Sequence, residues 1–512
     1  MFQETKSIFL KITLIAIFGI SINFYYGSIG VFPVDTFAHY DLANGIIHNH
    51  LPFRDYWVMS GPIIDLIQAL IFNLFGTSWT SYLMHSSIVN ALFAVSTFLF
   101  LIKLGLNTNS SFFYSICLSI LSYPTVGTPF PDHHSSIFSM ISIYLLIISI
   151  KHRYKTSWYL VPLLFFIAFF SKQTPAAYFI IFSSIILLFY SIQNKYYDWF
   201  VPVISSSIFL FIFLLLCLKL NNIEISDLLI QYFYFPQSIG SERISNYDIT
   251  FKGVVSHFKI IYVSLLLLLI CFTINYRKLN NKISNKNLIF ILFIIFSIFS
   301  LIFHQLITKN QTYIFFTIPI ICGFAQSYLG NKKSSVIYFL ILLTIFSTYK
   351  YHVRFNVEKK FMELSNVDLK NTVKAKKIDE SLNRLEWITP DYSSNPSREI
   401  SLIKSSLSHI KNEKRNSIVI TYYQFFSSVI KKNTFSLNRW YTSDGVSYPL
   451  QFNKYHEYYK NFFITNLNDR KIKIIYTISP LNLNDFNFVF NKKCVESKKI
   501  NEILTEHQIA KC

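Results

Sequence analysis

The sequence predicts an α-helical protein that crosses a membrane many times, with helices lying on its outer surface and a small α/β domain at its C-terminal end. Three observations predict it. Hydrophobic residues make up 52% of the 512 and charged residues only 14%, far from a soluble profile. The apolar residues come in long blocks, many near the roughly 20 residues that cross a bilayer. Those blocks stop near residue 350, and the composition then becomes that of a soluble domain. The expected division is a transmembrane part, 1–350, and an extracytoplasmic domain, 351–512.

The first span runs over 8–30. It lacks a small-residue cleavage site and reads as retained rather than removed. A polar island follows at 33–62, PVDTFAHYDLANGIIHNHLPFRDYWVMSGP, dense in ionisable residues. Within it Phe37, Tyr40, Ala43 and Ile47 recur at helical spacing, with Asp41, Asn44 and His48 on other faces. Residues 61–76 form an apolar helix too short to span. Both helices read as lying along the membrane surface. Further spans fall at 80–104, 110–127, 134–150, 157–170, 174–192, 199–219, 257–276, 288–307, 313–329 and 334–350, making about eleven. The segment 220–256 is aromatic and polar and suits a lid or substrate-contacting loop. In the tail, 358–385 reads as a charged helical stretch, and 416–421 and 473–479 as buried strands.

The net charge is +20, yet no aromatic-basic nucleic-acid motif accompanies it. Much of it lies in short loops, where Lys and Arg set orientation; the rest lies in the tail, where anionic headgroups or a lipid-linked phosphate could meet it. With the N-terminus inside, the inner loops carry Lys103, Lys151, Arg153, Lys155, Lys195, Arg277, Lys278, Lys282, Lys286, Lys332 and Lys333. The polar island at 33–62, the acidic run PFPDHHS at 129–135 and the C-terminal domain then fall outside the cytoplasm. Four of the six cysteines, Cys117, Cys217, Cys271 and Cys322, lie in or near spans and read as packing residues. Cys494 and Cys512 could pair as a disulfide outside the cytoplasm. The sequon at Asn310 reads as chance.

The residues able to do chemistry cluster in a few places. Asp35 follows the first span closely. It is either the N-cap of a helix over 36–48 or a general base for a hydroxyl acceptor. Asp132, in PFPDHHS at 129–135, is again a plausible cap, but His133 and His134 stand beside it. Asp132 with His133 could hold a divalent cation, although sequence-adjacent residues do not share a helix face. Arg54, Lys172 in SKQTP and, more weakly, Arg243 are bases near these islands. Each reads either as a snorkelling side chain or as a phosphate ligand.

Taken together, these motifs resemble a family. An acidic residue after the first span (Asp35), the NHLPFRDY run, Pro62, and Phe75-Gly76 ending a surface helix resemble the C-type-fold polytopic glycosyltransferases. The similarity is to the bacterial branch related to protein O-mannosyltransferases and lipid A aminoarabinose transferases. PFPDHHS resembles that family's second acidic motif. SKQTPA resembles its Lys-Gly-Pro element, with Gln173-Thr174 in place of the usual Gly. The match covers roughly residues 8–190.

The resemblance implies a polyprenyl-phosphate sugar as donor and a lipid, glycan or protein hydroxyl as acceptor. Asp35 would be the base, and Asp132, perhaps with His133 and a divalent metal ion, would position the acceptor. Lys172 and Arg54 would stabilise the leaving phosphate, with Asp55, His134, Gln173 and Arg243 as further substrate contacts. Transfer would invert the anomeric centre on the extracytoplasmic face of an inner or plasma membrane. Two other functions remain open: a flippase or transporter of lipid-linked sugars, which would need charges deep within spans, and a polysaccharide polymerase or ligase centred on the 220–256 loop.

Overall fold

The structure is a computed structural model and describes residues 2–245, 250–276, 281–308, 314–330, 335–442, 444–481 and 495–509. The chain begins with α1 (Phe2–Gly27), the short α2 (Pro33–Thr36) and α3 (Tyr40–Ile47), then α4 (Pro62–Phe75), α5 (Trp79–Leu104), α6 (Thr108–Leu121) and α7 (Pro131–His152). It continues through α8 (Ser157–Ser171), α9 (Gln173–Asn194), α10 (Phe200–Leu220), α11 (Ile225–Leu228), α12 (Phe235–Ser245), α13 (Lys259–Tyr276), α14 (Asn281–Thr308), α15 (Thr317–Leu329) and α16 (Ser335–His352). Each expected span overlaps one of these helices, although the one expected over 110–127 ends at Leu121 after only 14 residues. Seven are long and apolar enough to cross a membrane among the described residues, while α4, α8, α13 and α15 are apolar but shorter.

Where each helix sits follows from its side chains. Of the seven, α7 is the most buried. Its Ser135, Ser139, Ser142 and Ser149 are fully buried, and such small residues let helices approach closely. Ser142 Oγ donates to the Val161 carbonyl of α8 at 3.1 Å. By contrast α1, α9, α10 and α16 expose Phe9, Ile185, Ile192, Phe209, Phe213, Leu342 and Phe346. An apolar belt of that size is costly in water and natural in hydrocarbon, so the protein reads as multi-pass.

One close crossing fixes the approach to α7. A Cβ on Gly127 would lie 2.1 Å from Gly27 Cα, and Gly127 has φ +77°. Only glycine serves there. Asn23 Nδ2 and Ser86 Oγ both donate to the Gly127 carbonyl, pinning the loop that delivers Pro131 and Asp132.

The C-terminal part holds α17 (Pro396–Asn412), α18 (Phe426–Ile430) and α19 (His456–Asp469), a pair β1 (Val373–Lys374) and β2 (Glu386–Trp387), and strands β3 (Ser417–Ile420), β4 (Ile474–Ile478), β5 (Val495–Lys499) and β6 (Leu504–Ile509). The sheet order is β3-β4-β6-β5. β3 and β4 run parallel, Ser417 opposite Ile474, and the other pairs are antiparallel. Continuous apolar runs suit a strand buried on both faces, and β3 and β4 are buried throughout.

Three expectations need correction. The helix over 36–48 is broken at 37–39 into α2 and α3. Phe37, Tyr40 and Ala43 do face one core, but Asp41 is buried as well. Its carboxylate accepts the Ser427 and Ser428 amides at 3.0 and 2.9 Å, so the polar face of α3 packs against the C-terminal part rather than facing solvent. The stretch 358–385 forms short 3-10 turns and β1 instead of a helix. Asp368 and Asp379 each accept a backbone N–H two residues on, a local bond that competes with helix propagation. The Cys494–Cys512 pairing and the Asn310 sequon lie outside the described residues.

The hydrophobic core crosses residue 350. Val31, Phe37, Tyr40, Phe72, Trp79 and Tyr82 share one cluster with Leu382, Trp387, Ile403, Phe425 and Ile474. Backbone pairing joins the same regions: Gly30 N–H donates to the Glu386 carbonyl and Val31 N–H to that of Ile388, both at 2.9 Å.

Candidate active site

A cavity of about 580 Å³ opens at the end of the bundle that carries the C-terminal part. Asp35, Asp132, Lys172, Gln173 and Arg243 all line it. The basic residues Lys103 and Lys151 lie at the opposite end of the helices: Lys151 Nζ there donates to the carbonyls of Lys103 and Leu104, a full length of α7 from Asp132.

Asp35 is not a helix cap. It sits inside α2, whose N-cap is Phe32 and which has Pro33 in its first turn. The nearby polar bond is made by Thr36, whose Oγ1 accepts the Phe32 N–H at 2.9 Å. The Asp35 carboxylate is left partly buried on the cavity wall, with no side-chain hydrogen bond among the described residues. Burial pushes its pKa up to about 7, the Asp132 charge adds to this, and Lys172 opposes it. A carboxylate that titrates near neutrality is matched to proton abstraction.

Asp132 follows Pro131 at the start of α7, where the helix dipole favours an anion. Lys172 Nζ donates to both of its oxygens at 2.8 Å, and His304 Nε2 donates to Oδ1 at 2.7 Å. All three side chains are largely buried. Lys172 is presented by a break between α8 and α9. Its backbone is extended (φ −161°, ψ 136°), and so is Thr174 (φ −112°, ψ 133°). Pro175 forbids helix at the residue before it, so SKQTP produces the break. Gln173 Nε2 spans the opening, donating to the Met59 and Tyr232 carbonyls at 2.7 Å each. It thereby ties the 33–62 island to the segment before α12.

Other expected residues lie elsewhere. Arg54 pairs with its neighbour Asp55 at 2.7 Å and donates to the carbonyls of Asn49 and Asn221. Asp55 also accepts the Leu51 N–H, so the two residues brace a turn and do not line the cavity. His134 Nδ1 stands 3.0 Å from the Phe130 carbonyl, and its Nε2 is 3.2 Å from His85 Nε2. His133 is buried against Phe130, with neither ring nitrogen partnered among the described residues. Asp132 and His133 do not fit a metal site here. Lys172 and His304 already hold both Asp132 oxygens, His133 does not line the cavity, and no group of three or more His, Cys, Asp or Glu among the described residues is placed to bind a metal ion.

Sequence reasoning missed His304, Trp440 and Asp444. The first is a lone polar residue within an apolar span, a weak signal that intramembrane ionisable groups do carry. The other two lie in the tail, more than 300 residues from Asp132, and reach the cavity wall only through the tertiary fold.

A second, apolar groove of about 870 Å³ runs between α8, α9 and α10, lined by Phe165, Phe166, Leu187, Leu210 and Leu214. It shares Phe169 and Phe233 with the polar cavity. The two spaces therefore meet at one aromatic boundary, where a charged headgroup and a hydrocarbon tail could be held at once.

No family model matches the chain, and no curated protein matches it. Among solved structures the chain is similar to the archaeal oligosaccharyltransferase AglB from Archaeoglobus fulgidus, solved in complex with an inhibitory peptide and a dolichol-phosphate. That similarity has a TM-score of 0.41 at 9% sequence identity, and it covers 93% of this chain and 70% of that one.

Proposed function

We propose that this protein is a membrane glycosyltransferase that moves a sugar from a polyprenyl-phosphate donor to a hydroxyl acceptor, with inversion, at the extracytoplasmic face. The observation that carries the proposal is the junction of the polar cavity and the apolar groove at Phe169 and Phe233. The prenyl tail occupies the groove, whose apolar lining matches its hydrocarbon. The phosphate and sugar occupy the cavity.

Asp35 takes the proton of the acceptor hydroxyl. That oxygen attacks the anomeric carbon as the bond from that carbon to the phosphate oxygen breaks. The bonding electrons leave with the polyprenyl phosphate, whose growing charge meets Lys172, a cation fixed by Asp132, and Arg243 on the cavity wall, charges of the kind such a step requires. Asp132, itself held by His304, keeps the Lys172 ammonium in place. The acceptor can be lipid, glycan or protein. The arrangement favours an enzyme over a flippase, because the cavity's charges gather at one end of the bundle rather than along a path through it.

Reconstitution in liposomes with a panel of polyprenyl-phosphate sugars tests this. Consumption of one lipid donor, abolished in Asp35→Asn and Asp132→Asn proteins that still fold, is the expected result. Full consumption by both variants would remove the proposed site.

A further inference from the structure

Beside the cavity lies a buried charge network that joins the two halves of the chain. Asp65 on α4 has no exposed surface. His39 Nδ1 reaches its carboxylate at 2.6 Å and the Tyr56 hydroxyl donates to it at 2.9 Å. Arg439, 374 residues later, completes the set through Nη2. Its Nη1 donates to the Ser60 carbonyl. Gly61 leaves just enough room: with φ +72°, a Cβ there would stand 2.9 Å from Arg439 Nη1 and 3.0 Å from His39 Cε1. The opposite charges of Asp65 and Arg439 offset one another, and burial together with Arg439 lowers the His39 pKa against the opposing pull of Asp65.

The placement matters more than the energy. A buried ion pair adds little net stability over apolar residues of similar volume. Yet Arg439 holds Ser60, a cavity-wall residue, and is followed in sequence by Trp440, a second wall residue. Trp440 Nε1 donates to the Val34 carbonyl at 2.9 Å, one residue before Asp35. Two walls of the cavity and the backbone next to the candidate base are thus referenced to one guanidinium.

We propose that Asp65 and Arg439 are positioning residues that make the C-terminal part a component of the transfer site, by holding the Trp440 indole against the headgroup of the polyprenyl-phosphate ligand. The proposal rests on the donor reading of the cavity given above.

The test uses the full chain in lipid nanodiscs, titrated with undecaprenyl phosphate and followed by tryptophan fluorescence. Wild type should show a change that W440F lacks. D65L/R439M, which removes both charges together, should melt within a few degrees of wild type yet lose at least half of the Trp440-dependent change. If that double variant responds as wild type does, the pair is structural only and the proposal is overturned. If W440F responds as wild type does, Trp440 does not face the ligand and the proposal is again overturned. Should D65L/R439M fail to fold, R439K decides: a reduced signal supports the proposal and an unchanged one overturns it. A wild type that does not respond at all, or a response untouched by Lys172→Gln, overturns the donor reading and this inference with it.

Discussion

Lys172 Nζ stands 2.8 Å from each oxygen of Asp132, across a gap of forty residues, joining the break between α8 and α9 to the start of α7. Neither side chain is free to act alone. Removing Lys172 leaves a buried carboxylate with only His304, and removing Asp132 leaves an unpaired ammonium. Lys172→Ala should therefore lower turnover roughly 100- to 1,000-fold, the loss typical of one fixed charge aimed at a developing anion. The Lys172→Ala/Asp132→Ala double variant should lose much less than the product of the single losses, since the residues share one interaction. Donor consumption by the three variants measures this.

Asp35→Asn should leave the melting temperature intact or raise it, while lowering turnover roughly 100- to 10,000-fold. The sign follows from the raised pKa of about 7. A carboxyl that holds its proton more tightly when folded stabilises the fold at low pH, and that contribution is lost as pH rises from the unfolded value through 7. The amide removes the cost of ionisation, so the variant should melt higher than wild type at pH 8 and not at pH 4. Melting curves at the two values check it.

The pH profile of transfer carries its own prediction. If ionised Asp35 is the base, turnover should rise with pH through an inflection near 7 and level off above it. Initial rates between pH 5.5 and 8.5 read this directly. A flat profile across that range would assign proton removal to another group.

Leu214 lines the apolar groove. Leu214→Trp fills part of that volume without touching the polar cavity. KM for a long-chain polyprenyl-phosphate sugar should rise about tenfold or more, with a smaller change for a short-chain donor. Equal effects on both chain lengths would place the tail elsewhere.

Asp41 accepts the Ser427 and Ser428 amides at the start of α18, together with the Ser428 hydroxyl at 2.5 Å. It does for a distant helix what an N-cap residue does for its own. Asp41→Ala should cost about 1–2 kcal/mol, visible as a lower melting temperature, with turnover per folded molecule unchanged.

Much of this architecture could be read before any coordinates. The apolar blocks named the helices of the bundle, because a span must satisfy its backbone within itself and so leaves a local signature. The order of Asp35, PDHHS and SKQTP along the chain also suggested one site, and Asp35, Asp132, Lys172, Gln173 and Arg243 do share a cavity. What escaped was pairing at long range. Nothing in the local sequence says that Arg54 will be captured by Asp55, that His304 will turn from an apolar span to Asp132, or that Trp440 will stand beside Val34. The break at 37–39 was hidden for a related reason. The 3.6-residue period survives it, since Phe37, Tyr40 and Ala43 still point into one core.

The Asp65–Arg439 pair also sets an order of events during biosynthesis. Domains of a nascent chain generally fold from the N-terminus onward, yet Asp65 must wait for a partner 374 residues behind it. Until residue 439 has been made and carried to the same side of the membrane, α4 holds a carboxylate with only His39 and Tyr56 to meet it, and the cavity lacks a wall. The cavity therefore cannot be completed span by span as the chain inserts. Competence arrives in one late step, when the tail docks, and a ribosome that stops early leaves a membrane protein with most of its helices and no complete site.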